Sequence, residues 1–361
     1  MTANNKNIDK QGKKLLNVPN LRFPEFEGEW EYVSLQELAP NISSGKDKPT
    51  NGEVTLYGST GRMGKTDKVT YNEEIILVAR VGANAGTIQI VNEPCGVTDN
   101  ALVLNAHTWN HYIYYYLQQY NLNRLVFGSG QPLITGGMLK KIKIGFGCEA
   151  ERDKIYKTLM LIDERISTQN RIIEDLKQLR SAIYQHLFQQ LKGEKVALCT
   201  IADVIKGKQI NGSELSDSGH YYMMNGGIIP SGYLEKCNTP ANTISISEGG
   251  NSCGYVQYNH VPFWSGGHCY TLCLKGNIDS RYLYHWLKFK EPDIMALRIG
   301  SGLPNIQKKD LEHFQIIMPN INIQKKYADI FDSIRNKEKN EIDFLKNWSE
   351  QKQYFLQQMF I

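Results

Sequence analysis

A glycine-rich stretch in the first half of the chain contains the residue types of a phosphate-binding loop. It reads GSTGRMGKT, residues 58–66, and ends in the triplet Gly64-Lys65-Thr66 that such loops carry. The motif requires a glycine where this chain has Ser59, and it requires a following helix whose N-terminus faces the phosphates. The residues that follow, DKVTYNEEIILVARV, have a strand-like pattern instead. We therefore predict a glycine-rich hairpin or loop here rather than a nucleotide site.

Thiols and imidazoles cluster in the second half of the chain, which raises the question of a zinc site. Zinc knuckles use paired CxxC spacings, and this sequence has none. Cys269 and Cys273 are four positions apart in an alternating, strand-like run, a pattern typical of core thiols. We predict seven reduced cysteines and no metal. A Ser/His/Asp or Cys/His triad stays open, although no GxSxG elbow marks one. The clustered residues are Cys253, His260, His268, Cys269 and Cys273.

The segment from residue 101 to residue 148 carries basic residues and no acidic residue, within a chain of net charge +4. A basic, tyrosine-rich segment beside a Gly/Ser loop is suited to follow a phosphate backbone. The tyrosines have an alternative role, because Tyr112, Tyr115 and Tyr116 would form the buried face of a helix. The sequence favours backbone contact for the lysines and leaves both roles open for the tyrosines. The charged residues are Arg124, Lys140, Lys141 and Lys143.

Two long stretches, residues 149–191 and 321–361, repeat apolar residues at heptad spacing and predict long helices. A helix of the first span is roughly 60 Å long, and its narrow apolar stripe needs a partner helix. The predicted seam on the first helix is Ile155, Leu159, Ile162, Ile166, Ile173, Leu176, Ile183 and Leu187. On the second helix it is Tyr327, Phe331, Ile334, Leu345, Trp348, Phe355 and Met359. Polar breaks fall at Gln169 and Arg180.

The two halves of the chain are colinear repeats of each other. VSLQELAPNISSGK at residue 33 aligns with VALCTIADVIKGK at residue 196, and ILVARVGANAG aligns with SISEGGNSCG so that Gly82 and Gly86 match Gly250 and Gly254. GSGQPLI at residue 128 aligns with GSGLPNI at residue 300, so the offset grows slowly from 163 to 172. The matches indicate a duplicated unit of about 165 residues, built of a short helix, strands with glycine-rich turns, a tyrosine-rich helix and a long helix.

From Val18 to Ile361 the chain resembles the specificity subunit of a type I restriction–modification system. The N-terminal VPNLRFPEFEGEW, the two glycine-rich strand-turns and the paired GSG motifs carry this resemblance. It implies an α+β fold with two pseudo-symmetric globular target recognition domains, separated by two long helices that form an antiparallel coiled coil. The expected domains are a disordered tail (1–17), the first recognition domain (18–148), the central helix (149–191), the second recognition domain (192–320) and the C-terminal helix (321–361).

The resemblance also implies a chain without chemistry of its own, which agrees with the missing Asn/Asp-Pro-Pro-aromatic motif of amino-methylating DNA enzymes. Each domain would read one half of a bipartite, asymmetric site on double-stranded DNA. The implied partners are two modification subunits, which carry S-adenosylmethionine and methylate adenine, and restriction subunits, which use ATP and Mg for translocation and cleavage. We expect a bacterial cytoplasmic protein that does not contact a membrane. The alternative is a coiled-coil scaffold or adaptor whose globular domains bind protein or glycan.

Polar residues on glycine-flanked turns are the expected base readers of such domains, because they can reach base edges. In the first domain these are Ser59, Thr60, Arg62, Lys65, Arg80, Asn84, Ser129 and Gln131. In the second they are Asn225, Asn251, Ser252, Ser301 and Asn305. Lys140, Lys141 and Lys143 are expected to hold phosphates. The second domain has SEGGNSCG where the first has ARVGANAG, so Arg80 aligns with Glu248. Such a difference is expected if the two halves read different bases.

If the paired helices set the distance between the half-sites, lengthening one helix changes the spacer alone. Inserting four residues, about one helical turn, after Gln169 should alter the preferred spacer and leave both half-site sequences unchanged. Mapping methylated sites genome-wide, with the modification subunit present, measures this outcome. Unchanged spacing at normal efficiency would show that the helices are not the ruler, and changed half-site bases would place recognition in the helices.

Overall fold

The computed structural model describes residues 17–125, 133–300, 302 and 304–361. Of the tail predicted over residues 1–17, all but Asn17 lies outside the described residues. The chain forms two compact units. Unit 1 contains the chain up to Asn170 together with Phe344–Ile361, and unit 2 contains Arg171–Asp343. Unit 1 is therefore assembled from two segments that are distant in sequence.

In its described residues unit 1 has three small sheets, three α-helices of its own and a segment of each of two long helices. The strands are β1 (Glu31–Ser34), β2 (Ser43–Ser44), β3 (Val54–Gly58), β4 (Gly61–Thr66), β5 (Ile75–Ala79), β6 (Ile88–Val91), β7 (Cys95–Val97), β8 (Ala101–Leu104) and β9 (Lys143–Phe146). The helices are α1 (Leu35–Leu38), α2 (Asn110–Tyr120), α3 (Gly136–Lys140), the start of α4 (Glu149–Gln189) and the end of α9 (Ile321–Gln358). The sheets have strand orders β1-β9, β2-β8-β5-β6 and β4-β3-β7.

Unit 2 repeats this plan. Its strands are β10 (Glu194–Ala197), β11 (Ala202–Lys206), β12 (Tyr221–Met224), β13 (Gly232–Leu234), β14 (Thr243–Ser247), β15 (Val256–Asn259), β16 (Trp264–Ser265), β17 (Cys269–Leu274) and β18 (Gln315–Met318). Its helices are the end of α4, α5 (Leu198–Ile201), α6 (Ser280–Phe289), α7 (Glu291–Met295), α8 (Lys308–Glu312) and most of α9 (Ile321–Gln358). The sheets are β10-β18, β11-β17-β14-β15 and β13-β12-β16, the same three orders as in unit 1.

Strand register shows that the repeat is structural. Val33 opposes Ile144 in the β1–β9 pair, and Val196 opposes Ile316 in the β10–β18 pair, so the offsets are the 163 and 172 read from the sequence. Leu77 opposes Val103, and at an offset of 168 Ser245 opposes Thr271. A one-residue slip would turn each strand's side chains to the opposite face, so matching registers mean matching cores.

The core of unit 1 settles the role of three tyrosines. Tyr112, Tyr115 and Tyr116 of α2 are each at most 4% exposed. The Tyr112 hydroxyl donates to the carbonyl of Gly145 at 2.7 Å, and that of Tyr116 donates to the carbonyl of Lys143 at 2.9 Å. A buried tyrosine whose hydroxyl has a partner is a stable core residue. These three rings form the buried face of the helix and are not available for stacking on bases.

The N-terminal segment 18–30 packs against residues that are distant in sequence. Arg22 makes a bidentate ion pair with Glu151 at the start of α4, with N–O distances of 2.7 and 2.8 Å. The indole nitrogen of Trp30 donates to the same carboxylate at 3.1 Å. Glu151 is fully buried, and these donors offset the cost of removing its charge from water.

The two long helices pair antiparallel within unit 2. Arg180 of α4 forms an ion pair with Glu338 of α9. Further along α4, the carbonyl of Leu187 accepts a hydrogen bond from Tyr327, which lies earlier on α9. Residue numbers therefore rise along one helix as they fall along the other. The Tyr184 ring stacks on that of Phe331 with centroids 4.2 Å apart. The polar break at Arg180 therefore faces a carboxylate that is only 8% exposed. That this partly buried pair sets the register of the helices stays a prediction.

Within unit 1 the same two helices also run antiparallel. Lys352 of α9 contacts Asp163 of α4 at 2.7 Å, and Leu356, Met359 and Phe360 share a core cluster with Leu159, near the start of α4. All fifteen predicted seam residues of the two helices are buried or partly buried. The predicted fold class, two α+β units with two long antiparallel helices, is confirmed. No helix in the described parts of the chain is both long enough and apolar enough to cross a membrane.

The aromatic contact between the helices in unit 2 should be a major source of that unit's stability. Phe331 is 1% exposed, and replacing it with Ala leaves a cavity, which costs about 3–5 kcal/mol of unfolding free energy. Leu179 on α4 is 51% exposed and provides a matched control, because Leu179→Ala removes little buried surface. Urea unfolding curves of both variants measure the difference. Equal effects of the two substitutions would contradict the packing described.

Candidate nucleic-acid interface

A glycine turn between β5 and β6 presents the first predicted reading residues. Gly82 and Gly86 have φ angles of +77° and +91°, the left-handed region that favours glycine. A Cβ on Gly86 would lie 2.7 Å from the side-chain oxygen of Asn123, so a larger residue does not fit without movement. Backbone hydrogen bonds of 2.9 Å tie Arg80 on both sides, from its N–H to the carbonyl of Asn100 and from the N–H of Ile134 to its carbonyl.

Unit 2 holds the equivalent turn, between β14 and β15, in the same way. Gly250 and Gly254 have φ angles of +77° and +92°, within a degree of their partners in unit 1. The N–H of Glu248 donates to the carbonyl of His268 at 2.9 Å, and the N–H of Ile306 donates to the carbonyl of Glu248 at 2.8 Å. The two turns thus share one backbone design and differ in the side chains that they carry.

The structure brings three of the predicted readers of unit 1 together. The β3–β4 turn and the β5–β6 turn enclose a small cavity of about 200 Å³. Its walls combine hydroxyl and amide side chains with glycine and alanine residues. Ser59, Thr60 and Asn84 line it, together with Gly58, Gly61, Ala79, Thr87 and Gln89. The Gly64-Lys65-Thr66 triplet lies in strand β4, as expected for a hairpin and not for a phosphate loop.

Arg62 and Lys65 of β4 already have partners within the protein. Arg62 contacts Glu93 at 3.0 Å and donates to the Tyr57 hydroxyl at 3.1 Å, while Tyr57 donates to Glu93 at 2.6 Å. The hydrogen bond from Tyr57 and the charge of Arg62 hold the pKa of the Glu93 carboxyl below its usual value. Lys65 donates to the backbone carbonyl of Glu53 at 2.8 Å. Both side chains are exposed, so DNA contact would require exchange of these exposed interactions.

The predicted phosphate-binding lysines follow the segment tied to Arg80. Lys140 ends α3 and is half-buried, whereas Lys141 and Lys143 are exposed on the turn and on the first residue of β9. These lysines follow Ile134 in the sequence, and the N–H of Ile134 donates a hydrogen bond to the carbonyl of Arg80. Ser129, Gln131 and Ser301, also predicted as readers, lie outside the described residues.

The remaining predicted readers of unit 2 surround its turn. Asn251 and Ser252 lie on the turn itself, and Asn305 forms a β-bridge with Gly249. The Asn225 side chain accepts a hydrogen bond from the N–H of His268 at 3.0 Å, so it supports a neighbouring loop. Asn251 and Asn305 are exposed. The structure thus gathers all four described residues around one surface.

Sequence reasoning missed a polar cluster at the same place. Glu248 is 8% exposed, and its Oε1 accepts hydrogen bonds from Lys206 at 2.6 Å and from Tyr270 at 3.0 Å. Its Oε2 lies 3.7 Å from Nδ1 of His268. At the 168-residue offset of the neighbouring strands, His268 aligns with Asn100. This alignment is the signal in the sequence that could have drawn attention to His268.

The thiols of the second half of the chain are spread between core and surface. Cys253 and Cys269 are buried and Cys273 is exposed. Burial raises the pKa of the Cys269 thiol to about 11, so it stays protonated at neutral pH. Among the described residues no three His, Cys, Asp or Glu side chains are grouped so that they could hold a metal ion.

Comparison with known proteins identifies the repeated unit. A family model described as type I restriction modification DNA specificity domain matches residues 27–178 and again residues 192–344. These two matches cover most of the chain and fall one on each repeat. Each repeat is therefore a DNA specificity domain. The chain belongs to this family, and its resemblance to the specificity subunits of type I restriction–modification systems is confirmed.

Individual relatives agree with the family model. A Mycoplasma genitalium protein whose name assigns it as a type I specificity subunit is 27% identical over 274 residues, 70% of this chain and 71% of the relative. The specificity subunit of type I restriction enzyme MjaVIII from Methanocaldococcus jannaschii is 24% identical and spans 89% of this chain and 84% of its own. The crystal structure of a type I S subunit from M. genitalium has a similar fold, with a TM-score of 0.72, 21% identity and coverage of 95% and 99%.

The exposed lysine at the turn after α3 should contribute to DNA affinity without contributing to sequence choice. Lys141→Ala should weaken binding to every duplex and reduce the slope of log affinity against log salt by about one. Lys346→Ala on α9 is the matched control, because Lys346 is exposed and pairs only with Glu350 among the described residues. Salt titrations of duplex binding measure both variants. A loss confined to one half-site would show that Lys141 reads bases.

Proposed function

We propose that this chain selects a bipartite, asymmetric DNA site, one half-site for each unit, and directs adenine methylation and ATP-dependent cleavage by partner subunits. The observation that carries the proposal is the pair of equivalent turns. The same glycines, φ angles and backbone hydrogen bonds recur in both units, while Arg80 in one is replaced by Glu248 in the other. A conserved scaffold with opposite charge at one position suits the reading of two different sequences.

The proposed DNA face of unit 1 combines base-reading and backbone-binding groups. Ser59, Thr60 and Asn84 converge at one cavity, where hydroxyl and amide groups can exchange hydrogen bonds with base edges. Lys141 and Lys143 are exposed cations with which to neutralise phosphates. Base contacts supply discrimination and phosphate contacts supply affinity, so both kinds of group are needed on one face.

The proposed division of labour assigns no chemistry to this chain. We propose that two modification subunits carry S-adenosylmethionine and that restriction subunits carry ATP and Mg, in keeping with the family. We further propose the recognition domains as residues 18–148 and 192–320, the helices as 149–191 and 321–361, and the bacterial cytoplasm as the place of action, because chromosomal DNA lies there. A coiled-coil adaptor that binds protein or glycan is disfavoured, because the family model describes DNA specificity domains.

Reconstitution tests the proposed function. The full-length chain alone, supplied with methyl donor and with ATP, should neither methylate nor cleave DNA. Addition of the modification subunit should give methylation at a bipartite sequence, and addition of the restriction subunit should give ATP-dependent cleavage of unmethylated DNA. A complex without this chain is the control and should lack sequence choice. Turnover by the pure chain, or sequence choice by the complex without it, would overturn the proposal.

A further inference from the structure

His268, which is not one of the predicted readers, adjoins the turn and the loop that carry the predicted readers of unit 2. Its N–H donates to the side chain of Asn225 on the loop after β12, and its carbonyl accepts from Glu248 at the end of β14. A Cβ on Gly226 would lie 3.2 Å from Cβ of His268, so this loop packs closely against it. The imidazole is nevertheless 64% exposed. The backbone at this position is fixed by two other loops while the ring faces solvent.

A buried carboxylate stands behind this exposed ring. Glu248 is held on one oxygen by Lys206 and Tyr270, and the hydroxyl of Tyr270 also donates to the carbonyl of Ile306 at 3.1 Å. Burial and the charge of Glu248 raise the pKa of Tyr270, so its hydroxyl remains a donor to the carboxylate. The second oxygen of Glu248 has no hydrogen-bond partner among the described residues and lies 3.7 Å from Nδ1 of His268. The exposed ring therefore lies beside an oxygen whose capacity to accept a hydrogen bond is unused.

Comparison of the two units indicates whether His268 is suited to contact a base or a phosphate. His268 and Glu248 occupy the positions of Asn100 and Arg80, with the same 2.9 Å backbone bond between them. Phosphates are alike in every sequence, so a phosphate contact gives no reason for equivalent positions to differ in charge. Base edges differ between half-sites, so a base contact does give a reason for equivalent positions to differ in charge.

We propose that His268, oriented by Glu248, is a specificity-determining residue of unit 2 that donates a hydrogen bond to a guanine in the major groove. In the proposed contact Nδ1 faces Glu248, while Nε2, on the other side of the ring, donates to the base. Guanine presents two acceptors, N7 and O6, in the major groove. Glu248 acts as a positioning residue and does not touch DNA itself. The inference rests on the proposed function, because it requires unit 2 to read a half-site.

Selection from a randomised duplex library, with the full-length chain bound to its modification subunit, tests the inference. His268→Asn places at this position the residue type that unit 1 has at Asn100, and His268→Gln is a second variant with a longer side chain. Both should reduce the preference for guanine at one base pair of one half-site by roughly ten-fold or more, and leave the other half-site unchanged. Glu248→Gln should give a smaller loss at the same base pair. Thermal unfolding curves identify any variant that does not fold.

His220 provides a matched control in the same unit. It also is an exposed histidine beside a glutamate, Glu235, but it precedes strand β12, whereas Asn225 follows that strand. His220→Asn should leave the selected sequence unchanged. If His268→Asn and His268→Gln still select the wild-type sequence, the inference is overturned. A uniform loss of affinity on all duplexes would also overturn it, because that result would indicate a phosphate contact. If the wild-type complex selects no sequence at all, the proposed function itself fails.

Discussion

The antiparallel contact between α4 and α9 is the constraint on which both units depend. In unit 1 the cluster around Tyr112 includes Leu159 from the first helix and Leu356 from the second. In unit 2 the cluster around Tyr282 includes Phe188 from the first helix and Phe331 from the second. Neither globular part closes its core without a segment of each long helix. Hydrophobic burial therefore couples the helices to the reading domains, and the helices are more than connectors.

The proposed recognition surfaces of the two units combine the same backbone geometry with different side chains. The turn after β5 and the turn after β14 have matching φ angles, and each is tied by two backbone hydrogen bonds to neighbouring loops. Backbone bonds do not depend on side-chain identity, so the side chains on these turns can differ between units without loss of the scaffold. Arg80 and Glu248 show how far that difference extends, because charge is inverted while the main chain is retained. A rigid support of this kind also lowers the entropic cost of binding.

Much of the fold could be predicted from the sequence because its signals were local or repeated. Heptad spacing located both long helices, and the slowly growing offset located equivalent strands whose register the structure confirms. Side-chain partners could not be predicted in the same way, because they depend on contacts between distant segments. Arg22 meets Glu151 across 129 residues, and Glu248 meets Lys206 across 42. His268 was considered only as a metal ligand, since its relation to Glu248 arises from strand pairing and not from spacing.

The composition of unit 1 from two distant segments has a consequence for how the protein is made. Residues 344–361 complete the core cluster that also contains Tyr112 and Leu159, and the ribosome adds them after all of unit 2. During synthesis unit 2 receives its last segment before unit 1 does, although unit 1 begins first. The amino-terminal domain must therefore wait with an open apolar face while its neighbour is translated, and such faces are sites of aggregation and chaperone binding. The unit whose synthesis begins first is thus the last to have its whole core available.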